Sequence, residues 1–580
     1  MDQTAQQDPR LPAASAAAPD ASPSAEHRSV TCHPSLATAK LLARGFASMP
    51  VYAILPGQGR DPLELFAVLK RLSRHCFILE SREDPDRWGR YTFIGFDPTA
   101  EISCQNGRLQ IKNGTQFEVA TREPGSFIDG ILEEYRCPRL TELPPFTGGL
   151  VGYFSYDYLS YCEPSLRFAD ADEEGFKDFD LMLFDKVIAF DHHQRRILLI
   201  ATVRTDTFEE NYEKATHELR SLARLLATGK KADFPPLCRE GPFEALFDEA
   251  RYARMVQRAK HYIHEGDIFQ VVLSNRLSAP ATGSLFGTYE RLRRINPSPY
   301  LFYFASDDIE LAGASPETLV KVIDGDVFTY PLAGTRPRGT TPEEDAALEA
   351  ELLADEKELA EHNMLVDLGR NDVGKVARFG SVELEEYRTV LRFSHVMHIG
   401  STVRGALRPE VSPSEVIDAI LPAGTLSGAP KLRACEIINE LEGSKRGVYG
   451  GAVGYLAFNG NLDTCIAIRL AFKKEGRLFI RSGAGIVADS VPAREYQECR
   501  DKMAAVLAAL EDGAEDVPGA GAVGESGAKG VAGVGTGAGA KGAAGVATAG
   551  AGAGAGAGAV GESGAKGAAG VGTGAKGGAA

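Results

Sequence analysis

Apolar positions along the chain recur with two periods. Alternation every second residue, bounded by Asn-Gly, Asp-Gly or Asp-Asp pairs, marks strands. Recurrence every three to four residues marks helices. In the first half, residues 100–119 read as two or three short strands turning at Asn-Gly pairs, and residues 196–203 as another strand. Helical patterns cover 62–72 and 208–226. A polar, proline-containing stretch at 229–241 reads as a link. Beyond it, a helix at 249–265 leads into a strand at 268–277, and strands follow at 300–305, 309–313, 318–323 and 326–330. One long helix is expected over 345–368, a hairpin-like set over 450–480 and a last helix over 492–511. Hairpins alternating with helices predict an α+β fold with largely antiparallel sheets, not a doubly wound parallel one.

Composition sets the limits of this body. Residues 1–32 are rich in Ala, Pro and Ser and read as a disordered extension. Residues 513–580 collapse to Gly, Ala and Val, with A-V-G-E-S-G-A-K-G beginning at Ala522 and again at Ala559. Such a tail has too few large side chains to bury and is expected to be disordered. Between them lie an N-terminal α+β region, 33–230, and a second region, 240–512. The net charge of -16, with no basic patch, disfavours nucleic acid as a partner. No apolar run is long enough to span a bilayer, and the start lacks the basic and apolar segments of a signal peptide. The nine cysteines are odd in number, widely spaced and without a C-x-x-C pair, which fits a reducing cytoplasm.

Two acidic pairs carry the first chemical signal. Glu358 and Glu361 lie in the 345–368 helix, and Glu495 and Glu498 in the last one. The i, i+3 spacing puts both members of each pair on one helix face. Four such carboxylates could cage a hard cation such as Mg²⁺; the alternative is two solvated acidic faces. On a helical wheel, Glu495, Glu498 and Lys502 run beside the apolar stripe of Met503, Val506 and Leu510, while Glu358 and Glu361 continue into Leu365 and Leu368. A carboxylate bordering a buried face needs a partner, and Lys502 is placed to be one. Glycine-rich segments end strands at 481–486 and 331–339, and another enters a helix at 422–431. Plain turns would explain any one of them, but together they offer backbone N–H groups to an anion beside the acidic helices.

Ordered motifs then give a resemblance. They include L-E-S (79–81), G-G-L-V-G-Y (148–153), G-D-I-F-Q-V-V-L-S (266–274), N-P-S-P-Y (296–300), A-S-P-E-T-L (314–319) and P-L-A-G-T-R-P-R-G (331–339). They continue with E-L-A-E-H-N-M-L-V-D-L-G-R-N-D (358–372), S-H-V-M-H (394–398), P-A-G-T-L-S-G-A-P-K (422–431), R-G-V-Y-G-G (446–451), D-T-C-I-A-I-R (463–469), R-S-G-A-G-I (481–486) and E-Y-Q-E-C-R-D-K (495–502). The chain thereby resembles the large, chorismate-utilising subunits of anthranilate synthases. The resemblance implies a layered α/β/β/α sandwich and a Mg²⁺ held by Glu361 and Glu498, with Glu358 and Glu495 behind or beside them. Gly334, Thr335 and Thr425 match ring-binding positions. Tyr449 and Arg469 match the grip on the enolpyruvyl carboxylate, and Gly483, Ala484 and Gly485 match backbone contacts to the ring carboxylate, with Lys502 close by.

By the same resemblance, ammonia attacks the ring as the 4-hydroxyl leaves, protonated by Glu317. Pyruvate is then eliminated with the help of His398; its neighbour His395 has no matching role. Gln270 stands where water-adding relatives carry a lysine base, which ammonia does not need. Ala333 stands where aminodeoxychorismate synthases, the nearest alternative, usually carry a lysine. A second alternative, an inactive tryptophan-binding relative, would lack Glu361, Glu498, His398 or Arg469, and all four are present. Ser81, Pro299, Tyr300 and Leu301 match the family's tryptophan feedback site; methionine is frequent at the last of these. No cysteine has the flanks of an amidotransferase nucleophile, so the glutaminase is expected on a separate subunit.

Overall fold

The computed structural model describes residues 30–82, 89–166, 174–392 and 396–510. The expected C-terminal tail lies outside the described residues, as do His395 and most of the expected N-terminal extension. Chain order begins slightly earlier than expected, because Cys32 and His33 already pair with Ala53 and Tyr52.

Two large antiparallel sheets form the body. The first runs in spatial order through Cys32–His33, Ser48–Pro56, Arg196–Arg204, Lys186–Asp191, Tyr91–Phe96, Cys76–Glu80, Tyr300–Ala305, Ile309–Ser315, Leu470–Lys474, Arg477–Ile486 and Gln270–Thr282. The second runs through Leu332–Pro337, Val396–Ala406, Asp326–Thr329, Thr318–Ile323, Leu462–Ile466, Ala452–Ala457, Gly149–Phe154, Phe179–Phe184 and Ala100–Gln105, then Arg108–Lys112 and Gln116–Ala120. Sequence on both sides of the 229–241 link enters both sheets. The link is therefore a feature of the chain's path and not a boundary between sheets.

Between the sheets lies an aromatic layer that includes Phe77, Phe93, Phe146, Phe302, Tyr455 and Phe479. Each fully buried phenyl ring contributes about 1.5–3 kcal/mol. Helices Pro62–Lys70, Phe208–Thr228, Phe286–Ile295 and Pro492–Leu510 pack on the outer face of the first sheet. Helices Pro124–Glu134, Glu356–Val376 and Pro413–Ile420 cover the second. The result is the four-layer α/β/β/α sandwich. Among the described residues, no helix is long and apolar enough to cross a membrane.

Two expectations are corrected. The single helix over 345–368 is two helices, Pro342–Ala354 and Glu356–Val376. Asp355 breaks them: its extended backbone (φ -77°, ψ 102°) leaves its carboxylate to accept the N–H groups of Lys357 and Glu358 at 3.1 and 3.2 Å. Aspartate competes for backbone donors in this way, and apolar periodicity does not register it. The segment 331–339 is not merely a strand-ending loop; it contains an edge strand, Leu332–Pro337, paired with Val396–Ala406. Its ladder bulges between Ala333 and Thr335, where Gly334 has φ +68°. A Cβ at Gly334 would lie 2.9 Å from Leu352 Cδ1 and 3.3 Å from Glu358 Oε2, so glycine lets this strand lie against the acidic helix.

Asp355 caps the helix that carries Glu358 and Glu361 and accepts a hydrogen bond from Arg336 Nη2 at 2.9 Å. Asp355→Ala is expected to cost about 1–2 kcal/mol, read as a lower urea midpoint with an unchanged slope.

Candidate active site

One step of the chain brings the candidate residues together. The strand Leu462–Ile466 belongs to the second sheet and Leu470–Lys474 to the first, so the chain crosses between sheets at residues 467–469. Arg469 completes the crossing with φ +52°, a conformation uncommon outside glycine. Neighbouring backbone anchors it. Ala314 N–H donates to Arg469 O at 3.1 Å, Ala467 N–H to Gly451 O at 2.9 Å, and Gly450 N–H to Ala467 O at 2.9 Å. These bonds place Tyr449 and Arg469 side by side at the same end of the sandwich. The Arg469 guanidinium is recessed and donates to Lys502 O at 2.8 Å, which ties it to the last helix. Burial lowers its pKa, while Tyr449 and then Glu498 oppose the shift.

The glycine-rich end of Arg477–Ile486 lies next to this pair. Its register against Gln270–Thr282 sets Val272 opposite Gly485, Leu273 opposite Ala484 and Ser274 opposite Gly483. Val272 N–H donates instead to Ser427 O, and Ser274 N–H to the Glu442 carboxylate. Gly483 and Gly485 therefore occupy the non-bonded positions of this ladder, and their backbone groups turn to the open edge. Ala484 takes the alternate position and directs its N–H into the ladder. A Cβ at Gly483 would lie 3.0 Å from the Tyr449 hydroxyl, and one at Gly485 would lie 2.7 Å from Gln270 Nε2, so both glycines keep room at this wall. Lys502 Nζ donates to Gly483 O at 3.2 Å and pairs with Glu498 at 2.7 Å. Burial holds Tyr449 protonated, well above the usual phenol range, so its hydroxyl remains a donor.

Two titratable groups face the cleft with opposite shifts. Glu317 donates its N–H to Ser315 Oγ, and its C=O accepts Ile466 N–H at 3.0 Å, which anchors it at the crossing. Burial pushes its carboxyl up to about 7, against the lowering effects of the Thr425 hydroxyl at 3.1 Å and of Lys502. His398 sits opposite Thr335 in the edge ladder. Its Nδ1 lies 2.9 Å from Gly334 O and 3.1 Å from Thr335 Oγ1. A carbonyl partner requires the proton on Nδ1, which makes Nε2 the basic nitrogen of the neutral ring. Burial lowers the His398 pKa; Gly334 O opposes this and Arg469 adds to it. At neutral pH the cleft thus holds a carboxyl poised between its acid and ionised forms beside a neutral imidazole, an arrangement suited to acid–base work.

The two acidic helices approach across the cleft mouth. Glu358 is raised by burial, then by Glu361 and Asp355. Glu495 is raised by burial and by Glu498, while Ser490, Lys502 and Lys357 on the opposite helix lower it. Carboxylates that crowd one another in this way fit a divalent cation, which would relieve their repulsion. The four do not converge on one point. Among the described residues, the three metal-capable side chains within 4.8 Å of one another are His75, Glu101 and Asp307. There each nitrogen of His75 already meets a carboxylate, Glu101 on Nδ1 and Asp307 on Nε2 at 2.8 Å, so the group is a clasp between the two sheets.

Ser81, Pro299, Tyr300 and Leu301 come together on two adjacent segments. Leu301 pairs with Glu80, and Arg82 N–H donates to Ser298 O, which sets L-E-S against N-P-S-P-Y. Tyr300 donates to Asp463 at 2.8 Å, and its strand pairs with Ser315, two residues from Glu317. Sequence reasoning missed the buried ions beneath the site, Glu442, Arg446 and Arg481. Both arginines lie in quoted motifs, but a buried arginine has no periodic signature. It also missed a small cavity lined by Glu317 and Thr425 together with Tyr330, Leu368, Asp372 and Ile420. All nine cysteines are free thiols. Burial raises Cys76 and Cys104 to about 11, and Cys137 and Cys499 to about 12, so none of these four is an activated nucleophile.

Comparison with known proteins shows the family to which the chain belongs. The family model for chorismate binding enzymes matches residues 74–508. Anthranilate synthase component 1 of Acetivibrio thermocellus is 43% identical over 493 residues, spanning 83% of this chain and 99% of that protein. Its counterpart in Pseudomonas aeruginosa is 43% identical over 480 residues, spanning 81% and 97%. The crystal structure of anthranilate synthase component I from Streptococcus pneumoniae superposes with a TM-score of 0.64 at 35% identity, covering 78% of this chain and 98% of that one. The menaquinone-specific isochorismate synthase MenF of Escherichia coli superposes at 0.59 with 19% identity over 82% and 100%, a likeness of fold alone.

The Thr425 hydroxyl stabilises the ionised form of Glu317. Thr425→Val removes that donor, so the Glu317 titration is expected to move above its position near 7. The infrared band of the protonated carboxyl, followed against pH, measures the shift; Glu317→Gln identifies the band.

Proposed function

Because the chain belongs to the family of chorismate binding enzymes, we propose that it is the chorismate-utilising subunit of an anthranilate synthase. It is a lyase that converts chorismate and ammonia to anthranilate and pyruvate, the first committed step of tryptophan biosynthesis. The observation that carries the reading is that Glu317, held by Thr425 and pushed up to about 7, and a neutral His398, held by Gly334 O beside Arg469, accompany an Arg469–Tyr449 pair suited to gripping an anion.

Each residue then has a task. Arg469 and the Tyr449 hydroxyl orient the enolpyruvyl carboxylate, while Gly483 and Gly485 N–H groups receive the ring carboxylate. Gly334, Thr335 and Thr425 border the ring. Glu361 and Glu498 would hold Mg²⁺, with Glu358 and Glu495 behind them. The bound ion supplies positive charge at the ring carboxylate, which an acidic protein otherwise lacks.

In the first step ammonia adds to ring carbon 2, and the bond to the 4-hydroxyl breaks as the ring double bonds shift. Glu317 gives its proton to the departing oxygen, which leaves as water. Gln270 borders this approach and has no base to offer, in keeping with a nucleophile that needs none. In the second step the enolpyruvyl C–O bond breaks, pyruvate departs and the ring aromatises as the carbon 2 proton is lost. His398 takes part as base through Nε2. Lys502 holds the Glu498 carboxylate and the Gly483 edge together.

Ammonia reaches the site from glutamine through a separate amidotransferase subunit, in a heteromeric, cytoplasmic enzyme. Ser81, Pro299, Tyr300 and Leu301 form the tryptophan inhibitory site. That reading is supported by the adjacency of their two segments and by the Tyr300–Ser315 pairing towards Glu317.

Purified chain with chorismate, Mg²⁺ and ammonium is expected to produce fluorescent anthranilate and an equal amount of pyruvate. An aminated product without pyruvate would instead assign it to aminodeoxychorismate formation. Glu498→Gln is expected to lower turnover by at least about a hundredfold. In the same assay Ser81→Ala is expected to raise the tryptophan concentration needed for half-inhibition about tenfold or more, with uninhibited turnover nearly intact. Loss of turnover in that variant would mean that Ser81 serves the catalytic cleft.

A further inference from the structure

Glu442, Arg446 and Arg481 are each 2% exposed, yet all three carry charge. Glu442 accepts Arg446 Nη2 at 2.6 Å and Nε at 3.0 Å, Arg481 Nη2 at 2.7 Å, Ser274 N–H at 2.8 Å and Ser274 Oγ at 2.9 Å. Arg481 Nε donates in turn to Ser274 Oγ at 2.8 Å. The pull of the two guanidiniums lowers the Glu442 pKa despite its burial.

The outer bonds of this cluster end on the segments that wall the cleft. Arg446 Nη1 donates to Leu426 O at 2.7 Å, one residue from Thr425. Its Nη2 also donates to Val272 O at 2.7 Å, opposite Gly485 and two residues from Gln270. Arg446 precedes Tyr449 by three residues, and its guanidinium lies 5.9 Å from that ring. Arg481 precedes Gly483 by two. The Thr425 turn, the Tyr449 turn and the Gly483–Gly485 edge thus share one buried carboxylate.

We propose that the Glu442–Arg446–Arg481 cluster, with Ser274, is a positioning frame that sets Tyr449, Gly483 and Gly485 at the spacing needed to bind the carboxylates of the substrate. The inference rests on the reading that those residues face the substrate. Apolar packing of the same volume would hold the segments together as firmly, because a buried ion cluster contributes little net stability. What the ions add is direction. Charge-assisted bonds to one carboxylate and to the carbonyls of Leu426, Val272 and Lys445 fix orientation, whereas packed methyl groups can slide. The cluster touches no reacting atom, so its effect is confined to substrate placement.

The test uses the full chain with chorismate, Mg²⁺ and ammonium. Ser274→Ala removes one donor to Glu442 and the acceptor of Arg481 Nε, a small change at the edge of the frame. Arg481→Lys keeps the charge and loses the forked geometry. Each is expected to raise KM for chorismate about tenfold, with kcat and KM for ammonium changed less than about twofold. Tyr449→Phe serves as a control on the reading itself, and Ser274→Ala in that background is expected to raise KM by much less than in the wild type. An unchanged chorismate KM in both frame variants, a parallel loss in all three parameters, or full multiplication with Tyr449→Phe would overturn the proposal. A Tyr449→Phe variant with wild-type KM would instead refute the placement of the substrate, whatever the frame variants do.

Discussion

Between Ile466 and Leu470 the chain leaves one sheet and enters the other, and the cleft is organised around that step. Backbone bonds from Ala314, Gly450 and Ala467 converge on it, and Ser315 Oγ donates to Ile466 O at 2.7 Å. Glu317, Tyr449 and Arg469 inherit their positions from these bonds. In an antiparallel sandwich each sheet could be completed separately; a short crossing forces their ends into one place. The left-handed backbone of Arg469 is the local cost of that turn, and it leaves an arginine where a glycine would be easier to accommodate.

Charge follows from the same arrangement. A chain with net charge -16 must concentrate cations if it is to hold a dianion. It does so with few groups. Arg469 is recessed beside a protonated Tyr449, Lys502 bridges Glu498 and the Gly483 edge, and two arginines lie beneath them around Glu442. The protons are managed by burial. One recessed environment raises Glu317 and another lowers His398, because loss of water disfavours the charged form of each. An acid and a base can then coexist in one cleft without neutralising each other.

Several features were legible in the sequence because they are local. Apolar runs bounded by Asp-Asp and Asp-Gly turns located the strands at 300–305 and 318–323, and the helix Phe208–Thr228 ends two residues beyond its expected end. The acidic pairs read correctly as helix faces bordering apolar stripes: Met503, Val506 and Leu365 are buried, as the wheel requires. The break at Asp355 was not legible, since a side-chain cap leaves apolar spacing intact. The edge strand Leu332–Pro337 was hidden as well, because glycine, prolines and a bulge obscure its period. Motifs identified Arg469, Glu317 and His398 as candidates through family likeness, but no spacing rule could have joined residues so far apart in the chain.

By itself, the sequence determined the α+β class, the faces of the two acidic helices, the net negative charge and the residue types available for proton transfer. Tertiary structure decided which of those residues meet. It turned Gly483 and Gly485 towards the cleft and Ala484 into the ladder, since hydrogen-bond alternation depends on the partner strand's register. It set the direction of the Glu317 and His398 shifts, since desolvation depends on neighbours from distant segments. It also placed Glu442, Arg446 and Arg481 beneath the site, because a buried charge is defined by its partners and not by its position along the chain.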